Sequence, residues 1–317
     1  MQDYLRPCLD SALSSPASDY EVVAVNDGST DSSGKILQEY AKDFGGKLRI
    51  VSKENGGLGS ARNAGMEVCR GEFVVFLDSD DFLAQGAVDE ILSECEKNDF
   101  DILFFDQEYI SGSGKSLMRF KGSNREGSFS FEEFPQILFS TPNAGNKIFR
   151  KRLFDESGIS FPPRQWFEDV NSVYMLYPHC REMRYVSKAW NVHLQRSGSI
   201  TNSGNAKRNL EMIDACSELL AYYKKLGIFE KYSEELEYCL FYNEFLTSID
   251  RVNLIDYKSP VQDELKGAFV SGFPNYKEND YIKTMPRSHR LLTALISGGH
   301  YRLLNAVLKL NALRHRG

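Results

Sequence analysis

Apolar and polar positions alternate with two different periods over the first third of the chain. "YEVVAVND" (Tyr20–Asp27) is a short apolar run ending in polar residues, the pattern of a buried strand. "SSGKILQEYAKDFG" puts Ile36, Leu37 and Tyr40 on one helical face, and Gly45 stops it. "LRIVSKE" predicts a second strand, and "GSARNAGMEVC" a helix entered from a glycine-rich loop. "EFVVFLD" reads as a third strand, "AVDEILSECEKN" as a helix and "DILFFDQEYI" as a fourth strand. Strands spaced by helices predict βαβ units and a mostly parallel central sheet, an α/β fold. Ligands of such sheets gather at the carboxyl ends of the strands, where Asp27 and Asp78–Asp81 fall.

Beyond Gly112 the pattern changes. "SGSGKS" predicts a hairpin turn, and "SFEEFPQILFS" a helix capped by Ser130. "EDVNSVYMLY" predicts a short helix, and "MRYVSKAWNVHLQR" an extended segment. From Ala206 onward the periodicity is helical, over 206–226, 230–251 and 288–313.

Composition narrows the class. The 317 residues are 42% hydrophobic and 26% charged, as in an ordinary globular protein, and disorder is not indicated. A net charge of −6 argues against a nucleic-acid partner. The six cysteines are scattered with no Cys-x-x-Cys pair, the pattern of reduced thiols in a cytoplasmic protein. No apolar stretch approaches the ~20 residues that span a bilayer. The charge is unevenly placed: from Tyr281 to the end there are seven Lys or Arg and no Asp or Glu, against 31 basic and 44 acidic residues elsewhere. In "YRLLNAVLKLNALRHR", Leu303, Leu304, Val307 and Leu308 share one helical face among basic residues. That face can pack on the protein or lie on an anionic membrane surface.

Several short motifs carry candidate chemistry. In "VNDGSTD", Asp27 ends a strand, where a carboxylate can accept a hydrogen bond from a ligand. The same residues also make an ordinary turn and cap. "NGGLGSARNAG" fails as a dinucleotide fingerprint, since Ala61 or Arg62 stands at the third glycine position. It reads better as a helix start offering Arg62 to a phosphate or a base. "DSDD" sets Asp78, Asp80 and Asp81 at a strand end. Like charges so close repel, and a hard cation such as Mg²⁺ or Mn²⁺, held by one or two carboxylates plus substrate phosphates, relieves the repulsion. "QWFEDVNSVYM" places Glu168 and Asp169 at a helix start beside Trp166 and Phe167, as dipole partners or as a general base. "HLQRSGSI" holds His193, which reads as structural, and Arg196, which can clamp a diphosphate.

In series, these stretches resemble the family 2 glycosyltransferases over about residues 2–202, together with "YLRPCLDSAL" and "NKIFRKRLFDESGISF". The resemblance implies a GT-A fold over 1–204, with a nucleotide-binding half at about 1–110 and an acceptor half at about 111–204. A helical region follows over 205–317. It implies an inverting, metal-dependent transfer of a sugar from a nucleotide-diphosphate donor, UDP-linked, to a hydroxyl of a saccharide or polyprenyl-diphosphate-linked acceptor in surface polysaccharide synthesis. Asp169 matches the catalytic base. Asp27, Arg62, Asp78, Asp80 and Arg196 match donor-binding positions, and Asp80 with Asp78 would hold Mn²⁺ or Mg²⁺. Lys147 matches a basic position near the acceptor and diphosphate. The resemblance also suits the cytoplasmic face of a membrane, reached through the basic tail. Two departures stand out. The family's first strand has no counterpart ahead of "QDYLRPCLDSAL", so an N-terminally truncated, catalytically impaired remnant that only binds is the alternative. A basic residue is also replaced in "LQR" at Leu194. A glycoside hydrolase using Asp80 and Asp169 as its carboxylate pair would need neither metal nor nucleotide.

Overall fold

The computed structural model describes residues 1–195 and 204–314. The chain divides into two compact units. Met1–Phe134 with Pro142–Arg196 form the first, and Pro135–Thr141 with Ser197–Gly317 form the second.

The first unit begins with α1 (Gln2–Ala12), β1 (Val22–Asp27), α2 (Ser33–Phe44), β2 (Leu48–Lys53) and α3 (Leu58–Val68). β1 and β2 pair in parallel as a separate two-stranded sheet. Leu5 and Leu9 of α1 and Leu13 just after it recur every fourth residue and meet Ile36 and Leu37 of α2 and Leu48 of β2 in one apolar cluster. The turn after β1 requires glycine. Gly28 has φ +70°, and a Cβ there would lie 2.8 Å from the Asn55 backbone nitrogen.

Next come β3 (Phe73–Val75), β4 (Phe82–Leu83), α4 (Ala87–Lys97), β5 (Ile102–Ser111), β6 (Ser116–Phe120) and β7 (Gly127–Phe129). β8 (Lys147–Arg150), α5 (Arg152–Ser157), α6 (Glu168–Leu176) and β9 (Met183–Gln195) complete the unit. The larger sheet runs β3-β8-β5-β9-β4, with β6 on β5 and β7 on β9. The sheet is mixed, not mostly parallel. β5 runs parallel to β9, while β3–β8, β5–β8, β5–β6, β4–β9 and β7–β9 are antiparallel. The regular alternation of strand and helix stops after α4; β5 and β6 are then joined by a short turn, and the other antiparallel pairs bring together strands far apart in the chain. Among the described residues no ladder joins the two sheets, so β1 and β3 each keep one edge without a strand partner.

Two predicted elements change. The ladder of the third strand ends at Val75, because its partner chain bends away ahead of Lys147 in a 3₁₀ turn at Ala144–Asn146. The helix expected at 130–140 is a turn followed by a 3₁₀ segment, Pro135–Phe139. Ser130 and Glu133 do exchange capping bonds, but Pro135 has no N–H to continue an α-helix and disfavours helical geometry in the residue before it.

The second unit is helical: α7 (Glu211–Lys225), α8 (Ser233–Leu240), a π-helical stretch (Phe241–Ser248) and α9 (Ile249–Ile255). α10 (Val261–Gly272), α11 (Asp280–Thr284), α12 (Arg287–Ser297) and α13 (Tyr301–Arg314) follow. The single helix expected over 288–313 is broken at Gly298–Gly299, where Gly299 takes φ +67°. α13 packs on α9. Leu304 is fully buried and the Asn305 side chain donates to the Asn253 carbonyl, so the apolar face read from the sequence is partly a packing face. No helix among the described residues is long and apolar enough to cross a membrane.

Candidate active site

The acidic turn after β3 separates its three carboxylates. The Asp81 N–H donates to the Asp78 carbonyl at 2.9 Å and closes the turn. Asp81 is buried. Its carboxylate accepts from His193 Nδ1 at 2.9 Å and from the Leu194 N–H at 3.3 Å. Burial of His193 lowers its pKa, but Asp81, with Asp80 and Asp78 behind it, outweighs this and holds the imidazole above its ordinary value. The Asp78 side chain stays 37% exposed, and Asp80 is partly exposed. One carboxylate of the turn therefore serves the fold, and two remain toward solvent. The partnership of Asp81 with His193 spans 112 residues and has no local signal in the sequence.

Arg62, on the second turn of α3, joins this turn to α6. Its guanidinium bonds Glu168 at 2.8 Å, pairs with Asp78 at 3.5 Å and bonds Asp169. It is buried between the rings of Phe76 and Phe161, at 5.7 and 5.2 Å from their centroids. Close packing allows this arrangement. A Cβ on Gly59 would lie 2.3 Å from the Pro162 carbonyl oxygen, so only glycine lets α3 approach that segment. The chain then enters α6 through two left-handed residues, Arg164 (φ 59°) and Phe167 (φ 65°). Such backbone is strained for non-glycine residues and persists where the surroundings over-determine it. Burial and the adjacent Asp169 push Glu168 up to about 7, with Arg62 opposing. Although the Asp78 side chain is part-exposed, desolvation by the groups packed around the turn pushes it up, against Arg62 and with Asp81, Asp169 and Asp80 adding to the rise. Asp169 accepts from Arg62 through one oxygen and from the Ala144 N–H at 3.2 Å through the other.

The remaining expected residues fall as follows. Asp27 faces its own loop, accepting from Lys53 Nζ at 2.7 Å and from the N–H groups of Gly56 and Gly57 at 2.9 and 2.8 Å. Burial works to raise its pKa, but Lys53 and the two amides together hold it below the usual carboxylate value. Lys147 is fully buried. Its ammonium donates to the Asn143 carbonyl and to Asn146 Oδ1, both at 2.7 Å. Burial pushes it down to about 7, with Asp169 opposing. Arg196 lies outside the described residues. The structure thus gathers Asp78, Arg62, Glu168 and Asp169 into one network and leaves Asp27 in a separate one.

Asp78 and Asp80 offer the hard oxygen donors that suit Mg²⁺ or Mn²⁺. No group of three His, Cys, Asp or Glu among the described residues is set to hold an ion by itself.

Mixed sheet, acidic strand end and helix-borne carboxylate define a GT-A glycosyltransferase fold. The structure of Staphylococcus aureus TarS 1–349 in complex with UDP-GlcNAc has this fold, with a TM-score of 0.56 over 87% of each chain at 18% identity. Residues 2–158 match glycosyl transferase family 2. It is 29% identical over 238 residues to glycosyltransferase GlyA of Streptococcus pneumoniae, covering 72% of this chain and 34% of GlyA. It is 32% identical over 164 residues to the poly(ribitol-phosphate) beta-glucosyltransferase of Bacillus spizizenii, covering 51% of this chain and 25% of that protein. The chain thus spans about a third or less of these two relatives.

Proposed function

We propose that the chain transfers a sugar from a nucleotide-diphosphate donor to an acceptor hydroxyl with inversion at the anomeric carbon. The observation that carries this reading is the Arg62 bridge. It holds Asp169, from a helix, in the same network as Asp78, at the strand end. Asp169 is the base: it takes the proton of the acceptor hydroxyl as that oxygen attacks. Arg62 orients Asp169, a positioning role beneath the donor rather than a direct grip on phosphate. Asp78 and Asp80 would hold a divalent cation, which when bound supplies positive charge opposite the donor's diphosphate. Asp27 and its loop form the nucleobase end. The UDP-GlcNAc bound to the TarS neighbour supports a UDP-linked donor. The poly(ribitol-phosphate) transferase relative supports a saccharide or lipid-linked acceptor of a surface polymer. Free cysteines throughout suit the cytoplasm, where nucleotide sugars are made.

The test is UDP binding by calorimetry with and without Mn²⁺, on this chain and on Asp80→Ala, followed by donor-dependent turnover. Binding that needs the ion and is lost in the variant is expected. Metal-independent binding would remove Asp80 from the reading. A protein that binds the nucleotide without turnover is the second reading, and the open edges of β1 and β3 favour it. It predicts UDP binding without turnover.

A further inference from the structure

The motif left over by the transfer reading is the basic C-terminal end, and the structure changes which of its residues are available. α12 and α13 pack on one another across the Gly298–Gly299 break. Each buries one side and leaves a stripe in solvent. On α12 the exposed positions include Arg287, Arg290 and Leu291, with Leu291 at 51%. On α13 they are Arg302, Leu303, Ala306, Lys309 and Leu310, with Leu303 at 56% and Leu310 at 59%. Spacings of three, four and seven residues put each set on one helical face. Exposed leucines of this size are ordinary singly but here alternate with cations on two consecutive helices.

The cations are also available. None of Arg287, Arg290, Arg302 and Lys309 has a carboxylate partner among the described residues. No Asp or Glu occurs from Tyr281 to the end of the chain. Asp263, a carboxylate that reaches α13 through Tyr301, is already engaged by the Tyr301 hydroxyl and by Lys266.

We propose that the exposed stripes of α12 and α13 form a docking surface for an anionic lipid bilayer. The leucines enter the headgroup boundary and the guanidinium and ammonium groups meet lipid phosphates. Unpaired cations select a negative surface, and aliphatic rather than aromatic neighbours suit acyl chains rather than stacked bases. This differs from the face read from the sequence, since Leu304 is committed to the core while Leu303 stays exposed and Leu310 joins it.

The experiment is co-sedimentation of the full chain with vesicles of phosphatidylcholine containing about a third phosphatidylglycerol, the anionic surface charge that attracts basic segments. Pure phosphatidylcholine vesicles are the control. Binding to the anionic vesicles alone, weakened by salt, is expected. The variant Arg302→Gln with Lys309→Gln should lower the partition coefficient about 25-fold, from about fivefold per basic residue. Leu303→Ser with Leu310→Ser should lower it as well. Arg287→Gln with Arg290→Gln tests the α12 stripe separately. All these positions are exposed, so the melting temperature should stay at the wild-type value. Failure of the wild type to sediment with the anionic vesicles would overturn the proposal. So would unchanged binding by the leucine variant with full competition from soluble polyphosphate, which would mark a simple anion site. No donor sugar enters the assay, so its failure leaves the transfer reading standing, and an inactive donor assay leaves this one.

Discussion

The two sheets of the first unit hold their carboxylates under different conditions. β5, at the centre of the larger sheet, is hydrogen-bonded on both sides, and Ile102 to Phe105 have no exposed surface. β1 is bonded on one side only, and all six of its residues are partly exposed. Both strands have nearly continuous apolar runs, so composition does not separate them. Neighbours do, because a strand buries its faces and satisfies its backbone only as far as flanking strands and helices allow. The proposed base Asp169 stands on α6 and Asp78 follows β3, both outside the β1–β2 pair. Asp27, at the proposed nucleobase end, rides on the looser pair and is held by its own loop.

The largest test of this contrast is catalytic. Asp169→Asn removes the proposed base and should lower kcat by about 10²–10⁴-fold, whereas Asp27→Asn should act mainly through donor affinity, with KM rising about tenfold. Steady-state kinetics on both variants check it, and equal losses of kcat would break the comparison. Stability comes second. Phe104→Ala at the centre of the larger sheet should cost about 3–5 kcal/mol, and Val23→Ala in β1 only about 1 kcal/mol. Native-state hydrogen exchange sharpens the same point, since β1 amides should open well before those of β5. A β1 as protected as β5 would show that its open edge is covered in solution.

The smallest effect is the pH dependence at Glu168, whose folded value of about 7 lies above its ordinary 4.5. The folded chain binds this proton more tightly than the unfolded chain. The contribution is thus fully present below the ordinary value and is lost as pH rises through about 7. Glu168→Gln stays neutral, so its stability relative to wild type should grow between mildly acidic and mildly alkaline pH in thermal melts. A constant difference across that range would show that Arg62 already holds Glu168 ionised.

The legible part of the site lay in residue type and local order. The acid-rich strand end, the arginine one turn into a glycine-led helix and the paired acids opening a helix could all be read from the chain. Their connections could not. Arg62 meets Asp169 across 107 residues, and Asp81 meets His193 across 112. Lys147 matched a basic position near the acceptor and diphosphate, and nothing local in the sequence showed that it packs against Phe104 in the interior. At the C-terminus, the period showed an amphipathic helix but not which leucines the core would take.

By itself the sequence determined the order of strands and helices through most of the first unit, the helical character of the second, and the stretches that carry chemistry. All of these follow from periodicity, turn residues and charge within a few positions of one another. Tertiary structure alone decided that the sheet is mixed and divided between β2–β1 and the rest. It also decided that one buried arginine gathers three carboxylates, and that a basic stripe stays in solvent on α12 and α13. Each of these depends on contacts between residues far apart in the chain. Such contacts are selected by shared burial and by the pairing of opposite charges, which no local pattern encodes.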